Sequence, residues 1–114
     1  MAARTPKPGE PVRGSESGRP VMAALDLLGR RWSMRILWEL SRSAAGFRDL
    51  QRRCGDMSSS VLNTRLNELT DARLVALGDE GYRLTALGRD LVRALAPLDA
   101  WSRRWAAAVD ADDE

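Results

Sequence analysis

Apolar residues between positions 20 and 71 recur every three or four places, the spacing that gathers one face of an α-helix. Pro20 suits a first helical turn, where its missing N–H would have no partner anyway. Val21, Ala24, Leu25 and Leu28 follow at helical spacing, and Gly29 ends the segment. A second helix is expected from about Trp32 to Ser41, with Ile36, Leu37 and Leu40 on one face. Ser43 to Gly46 form a small loop. A short third helix begins near Phe47, carries Leu50 and stops at Gly55. Ser58 is a favoured N-cap for a fourth helix, whose buried stripe is Val61, Leu62, Leu66 and Leu69. The period then changes. Leu74-Val75-Ala76-Leu77 reads as a strand, Asp79-Glu80-Gly81 as a tight turn and Tyr82-Arg83-Leu84 as the return strand. Thr85 caps a last helix with Leu87, Leu91, Leu95, Leu98, Trp101 and Trp105 in its stripe. Pro97 inside that helix is expected to bend or divide it.

This order predicts a mainly α fold with a small β-hairpin: a winged helix-turn-helix with an extended C-terminal dimerisation helix. The helix pair spans residues 47–54 and 58–71 and is joined by Gly55-Asp56-Met57, where Gly55 permits a left-handed turn and Met57 plugs the angle between the helices. The second helix of such a pair fits the major groove of B-DNA, which is about 12 Å wide. With Leu62, Leu66 and Leu69 turned inward, the opposite face shows Ser59, Ser60, Asn63, Thr64 and Asn67. These short side chains both donate and accept, as base-edge reading requires. Arg65 sits beside that face as a candidate phosphate clamp, and Ser58 with the helix N-terminus offers further donors to phosphate. A polar helix face is in most proteins simply solvated. The surrounding order of elements is what favours recognition here.

Composition narrows the function classes. The chain has 114 residues, 18 basic and 16 acidic, a formal net charge of +2. It contains no His and one Cys, which excludes Ser-His-Asp or Cys-His catalysis, an internal disulfide and the usual Cys/His zinc site within the chain. No cofactor, metal site, enzymatic activity or membrane partner is expected, and a cytoplasmic location is the default reading. Residues 1–18 hold Arg4, Lys7 and Arg13 among Pro, Gly and Ser, and are expected to form a disordered arm; residues 19–109 form the domain, and 110–114 an acidic tail. Residues 20–109 carry 14 arginines against 10 acids, a net of +4, so the folded part is more basic than the whole. Arg19 and the arm's cations are candidates for extra DNA contacts, an inert tail being the alternative.

Two further features concern assembly and redox chemistry. The last helix has more apolar surface than a domain of about 90 residues can easily cover. Trp101 and Trp105, four residues apart, share one face and mark an interface, unless they fold back onto the domain's own core. Met22, Leu25, Leu98, Trp101 and Trp105 are the dimer-interface candidates, whereas Trp32 and Trp38 are expected in the core. Cys54 follows Arg52 and Arg53, whose charge would lower its pKa. It is the one candidate for a redox role, with plain packing as the alternative.

The run Ala23-Ala24-Leu25-Asp26-Leu27-Leu28-Gly29-Arg30-Arg31-Trp32, followed by Ile36-Leu37-Trp38-Glu39-Leu40, resembles the opening of HxlR-type transcriptional regulators. The resemblance continues through Phe47-Arg48-Asp49-Leu50 and through Leu62, Arg65, Leu66, Glu68 and Leu69. It closes with Tyr82-Arg83-Leu84-Thr85-Ala86-Leu87-Gly88, covering about residues 19–106. It implies a homodimeric, DNA-binding bacterial regulator paired through its first and last helices. Many members carry a cysteine just before the proline of the first helix. Arg19 stands there in this chain, which removes sensing by that cysteine. The wing is also shorter than usual, and Asp79 and Glu80 at its tip are repelled by phosphate, leaving Arg83 at its base as the wing's candidate contact. The expected partners are double-stranded DNA, a second copy of the chain and an unidentified small-molecule effector. The expected function is repression from a near-palindromic operator. A winged-helix protein-interaction module, or a small-molecule sensor with weak or lost DNA binding, is the competing reading.

Overall fold

The computed structural model describes residues 5–11 and 18–112. Five helices and one hairpin follow in the order α1 (Pro20–Leu28), α2 (Ser33–Arg42), α3 (Phe47–Arg53), α4 (Ser59–Asp71), β1 (Val75–Gly78), β2 (Gly81–Leu84) and α5 (Ala86–Asp112). One apolar core binds them. Ile36, Leu37 and Leu40 of α2 meet Leu50 of α3, Leu62, Leu66 and Leu69 of α4, and Val75 and Leu84 of the hairpin. α2 lies at the centre, packed on α1, α3, β2 and α5. Trp32 enters α2 with a left-handed backbone (φ 80°), which reverses the chain sharply after α1, and the Arg31 guanidinium lies 5.4 Å from its ring centre.

Several expectations are corrected. Trp38 is not a core residue. It is 53% exposed, because α2 buries the face of Ile36, Leu37 and Leu40 and turns Trp38 outward beside Met34. α1 buries Ala23 and Leu27, leaving Val21 and Leu25 exposed, so its inner face is rotated from the expected one. β1 starts at Val75; Leu74 instead bonds backward to the Leu69 carbonyl and accepts from the Thr85 N–H. Pro97 does not divide α5, which runs unbroken for 27 residues, about 40 Å of helix. Residues 5–11, within the segment expected to be a disordered arm, lie against the domain: Pro6 is buried and Lys7 pairs with Asp71 at 3.2 Å. Arg4, Arg13 and the end of the acidic tail fall outside the described residues.

The hairpin is antiparallel, pairing Val75 with Leu84 and Gly78 with Gly81 around Asp79-Glu80. Its outer edge is fixed to the loop before α3. Ala45 and Tyr82 exchange two backbone hydrogen bonds, of 3.0 and 2.8 Å. Gly81 (φ +109°) makes this possible, since a Cβ there would lie 2.5 Å from the Ala45 carbonyl carbon. Thr85 then starts α5. Its hydroxyl accepts from the Gly88 N–H at 3.0 Å and donates to the Arg73 carbonyl at 2.7 Å. The first turn of α5 thereby closes on the end of α4.

Candidate nucleic-acid interface

The reversal between α3 and α4 uses two successive left-handed residues, Gly55 (φ 73°) and Asp56 (φ 57°). Asp tolerates this conformation better than most side chains. The turn is held from both sides: the Asp56 N–H donates to the Gln51 carbonyl at 2.9 Å, and Gln51 Nε2 donates to the Met57 carbonyl at 2.9 Å. Met57 is buried between the helices, as its apolar character predicts. Ser58 caps α4, its Oγ accepting from the Val61 N–H at 3.4 Å.

α4 divides as its pattern requires. Leu62, Leu66 and Leu69 are almost fully buried, while Ser59, Ser60, Asn63, Thr64 and Asn67 are all exposed. Ser60 and Thr64 spend part of their capacity locally, Ser60 with Ser58 Oγ and Thr64 donating to the Ser60 carbonyl. Asn63 and Asn67 have no side-chain partner among the described residues, so their amides are available to an outside ligand.

Arg65, expected as a phosphate clamp, is engaged within the domain. Its Nε donates to the Arg31 carbonyl at 2.7 Å and its Nη1 to Glu68 Oε1 at 2.7 Å. Burial, and secondarily the charge of Arg30, lower its pKa. Glu68 is buried and takes Arg65 on one carboxylate oxygen and Arg30 on the other, with Asp26 3.8 Å from Arg30. This cluster ties α4 to α1 and to the turn after it. Helical spacing places Arg65 beside the polar face, but its guanidinium is shared between Glu68, one turn on in the same helix, and the Arg31 carbonyl, 34 positions away.

Arg48 joins the candidate site from the structure rather than from any pattern in the sequence. It lies exposed on the first turn of α3, and its guanidinium has no partner among the described residues. The first helix of such a pair crosses the DNA backbone, which suits a free cation. The unpaired cation is visible only once Arg52 and Arg53 are seen bound to Asp49. Arg83 is exposed at the wing, its Nε close over Gly78. Cys54 is buried, and its thiol pKa is raised, mainly by burial. Arg52 and Arg53 do not activate it; Arg35 supplies the nearest lowering charge and Glu39 offsets part of it. Of the dimer candidates, Leu25, Leu98, Trp101 and Trp105 are exposed and Met22 is half-buried. The two tryptophans stack, with ring centres 5.5 Å apart, and do not fold back onto the core. Among the described residues there is no cluster of side chains suited to a metal, and no helix is long and apolar enough to cross a membrane.

The family model for HxlR-like helix-turn-helix proteins matches residues 27–110. An uncharacterized HTH-type transcriptional regulator of Mycobacterium tuberculosis is 35% identical over 91 residues, covering 74% of this chain. This chain spans only 57% of that relative's length. A second such regulator, from Methanocaldococcus jannaschii, is 26% identical over 89 residues, 74% of this chain and 83% of its own. Among solved structures, the quinone-bound YodB of B. subtilis superposes with a TM-score of 0.70 at 27% identity, covering 74% of this chain and 96% of its own.

Proposed function

The chain belongs to the HxlR-like helix-turn-helix family of transcription regulators, and we propose that it acts as a homodimeric, sequence-specific DNA-binding repressor on a near-palindromic operator. The observation that carries this reading is the division of α4: its leucines are buried while Asn63 and Asn67 stand exposed, with no side-chain partner among the described residues. In this reading Asn63, Asn67 and Ser59 meet base edges, Asn being able to bond an adenine through two atoms. Ser58, Ser60 and Thr64 line the same surface. Arg48 and the N-terminus of α4 hold phosphates and fix the register. Asp79 and Glu80 keep the wing's contribution small, and Arg83 is its one backbone contact.

A binding series against duplex DNA tests the assignment. Affinity falls steeply as salt rises, because each neutralised phosphate releases counterions. Asn63→Ala relaxes sequence preference, about 1–3 kcal/mol being lost on the preferred sequence only. Arg48→Ala weakens all sequences alike and lowers the salt slope by about one. Equal behaviour of both variants and the wild type removes the reading face from α4.

Dimerisation supplies the second reading helix, about 34 Å from the first along the duplex. Trp101, Trp105 and Leu98 form a stripe on the half of α5 that extends beyond the core, and Leu25 with Met22 forms an apolar patch on α1. Such stripes on soluble chains mark contact surfaces. Sedimentation equilibrium is expected to give the mass of two chains for the wild type and of one for the W101S/W105S double variant at micromolar concentration. A double variant still running as two chains places the interface elsewhere.

A further inference from the structure

A cavity of about 610 Å³ lies on the side of the domain bounded by α1, the end of α4 and the start of α5. Its size falls within the range of small-molecule sites, roughly 300–1,000 Å³. The walls are aliphatic, with Leu28 of α1 and Leu87 and Leu91 of α5 among them. The space exists because α1 and the end of α4 present short side chains, Ala24 and Ala72, towards it. No aromatic ring lines it. One wall is Pro6, Lys7 and Pro8, held by the burial of Pro6 and by the Lys7–Asp71 ion pair at 3.2 Å.

The polar groups sit at the end of the cavity where α4 gives way to β1. Lys7 and Asp71 neutralise each other there. The remaining charge is Arg73, whose guanidinium has no partner among the described residues. Arg73 holds a left-handed backbone (φ 65°), a conformation that costs a side-chain-bearing residue energy. Thr85 fixes it by donating to its carbonyl. Among the described residues, the cavity thus has an apolar body and one net positive charge at its rim. Leu87, 55% exposed, leaves the apolar wall open to a ligand. The proposed dimer residues do not claim this space. On α1, Met22 and Leu25 face away from the side that carries Ala24 and Leu28 towards the cavity.

We infer that this cavity binds a small aliphatic carboxylate, with its chain against Leu28, Leu87 and Leu91 and its anion on Arg73. The aliphatic lining favours a flexible hydrocarbon over a stacked ring, and the single rim cation selects one negative charge. Asp71 and Ala72 are the last residue and the C-cap of α4, so a bound ligand touches the end of the proposed reading helix directly. The binding claim stands apart from DNA recognition, and its test contains no DNA.

Isothermal titration of the full chain with decanoate, kept below its micelle range, and with the neutral alcohol decanol tests it. The expected result is saturable binding of one decanoate per chain, at least tenfold tighter than decanol. Shortening the chain to octanoate weakens binding about fourfold for each methylene removed. Arg73→Asn keeps a residue that tolerates the left-handed backbone and brings decanoate down to the affinity of decanol. Ala24→Leu intrudes on the cavity and weakens binding of both at least tenfold. Leu87→Glu, at an exposed position, repels decanoate and retains decanol, which keeps the test decisive should Ala24→Leu fail to fold by circular dichroism. Decanol binding as tightly as decanoate overturns the charge assignment. Equal decanoate binding by wild type and a folded Ala24→Leu overturns the site. The absence of saturable binding by decanoate overturns the whole inference.

Discussion

Replacing Glu68 with alanine is expected to lower the stability of the domain by about 4 kcal/mol, read as a shift of the urea midpoint at unchanged m-value. Glu68 is buried, and its two carboxylate oxygens receive Arg65 and Arg30 separately. Removing it leaves two guanidinium groups, themselves only 14% and 21% exposed, without the acid that offsets their desolvation. Asp26 compensates Arg30 in part at 3.8 Å, and the Arg31 carbonyl still holds Arg65. The loss is nevertheless a large fraction of the 5–15 kcal/mol that stabilises a typical domain. Glu68→Gln, which keeps one acceptor oxygen and loses the charge, is expected to fall between wild type and alanine. A change below about 1 kcal/mol for Glu68→Ala would mean that the cluster does not hold α4 in place.

Gly88→Ala is expected to cost about 3 kcal/mol or to prevent folding. Gly88 is buried in the first turn of α5, and a Cβ built on it would lie 2.1 Å from the Leu74 carbonyl oxygen. The obstacle is backbone, and it is pinned: the same carbonyl accepts from the Thr85 N–H, and the Thr85 hydroxyl accepts from the Gly88 N–H. Relief requires α5 to move off β1, carrying Leu91 and Val92 away from the core against which they pack. In an exposed helix interior the same substitution would stabilise by roughly 1 kcal/mol. The sign of the thermal-denaturation shift therefore distinguishes close packing at this position from ordinary helix propensity.

The sequence specified the elements well because each carries a local signal. Pro20 and Ser58 begin helices, Gly29 and Gly55 end them, and α4 has one apolar stripe that cannot be buried two ways. The exposed polar face of α4 follows from that stripe alone. What escaped the sequence depends on which of several available partners, near or far along the chain, each side chain takes. Helical spacing puts Arg65 beside the polar face, but Arg31 and Glu68 decide where its guanidinium goes. Trp38 looks like core by size, yet α2 has only one inward face and Ile36, Leu37 and Leu40 fill it. The charge of Arg52 and Arg53 looks activating for Cys54 until both are seen committed to Asp49. Trp32 and Arg73 adopt left-handed backbones that no propensity favours, because the turns they close are set by packing on either side.

If the exposed face of α4 meets the duplex, bound DNA shields its side chains from reagents in solution. Cys54 is buried with a raised thiol pKa, so a thiol introduced on the surface is alkylated far faster and can be followed alone. Asn63→Cys and, as a control on the exposed side of α5, Arg93→Cys should be alkylated with iodoacetamide in the presence and absence of saturating duplex DNA at low salt. Placement of that face on the duplex requires that DNA slow alkylation at position 63 at least tenfold and leave position 93 unchanged. Unaltered alkylation at 63 while the DNA is demonstrably bound would contradict it.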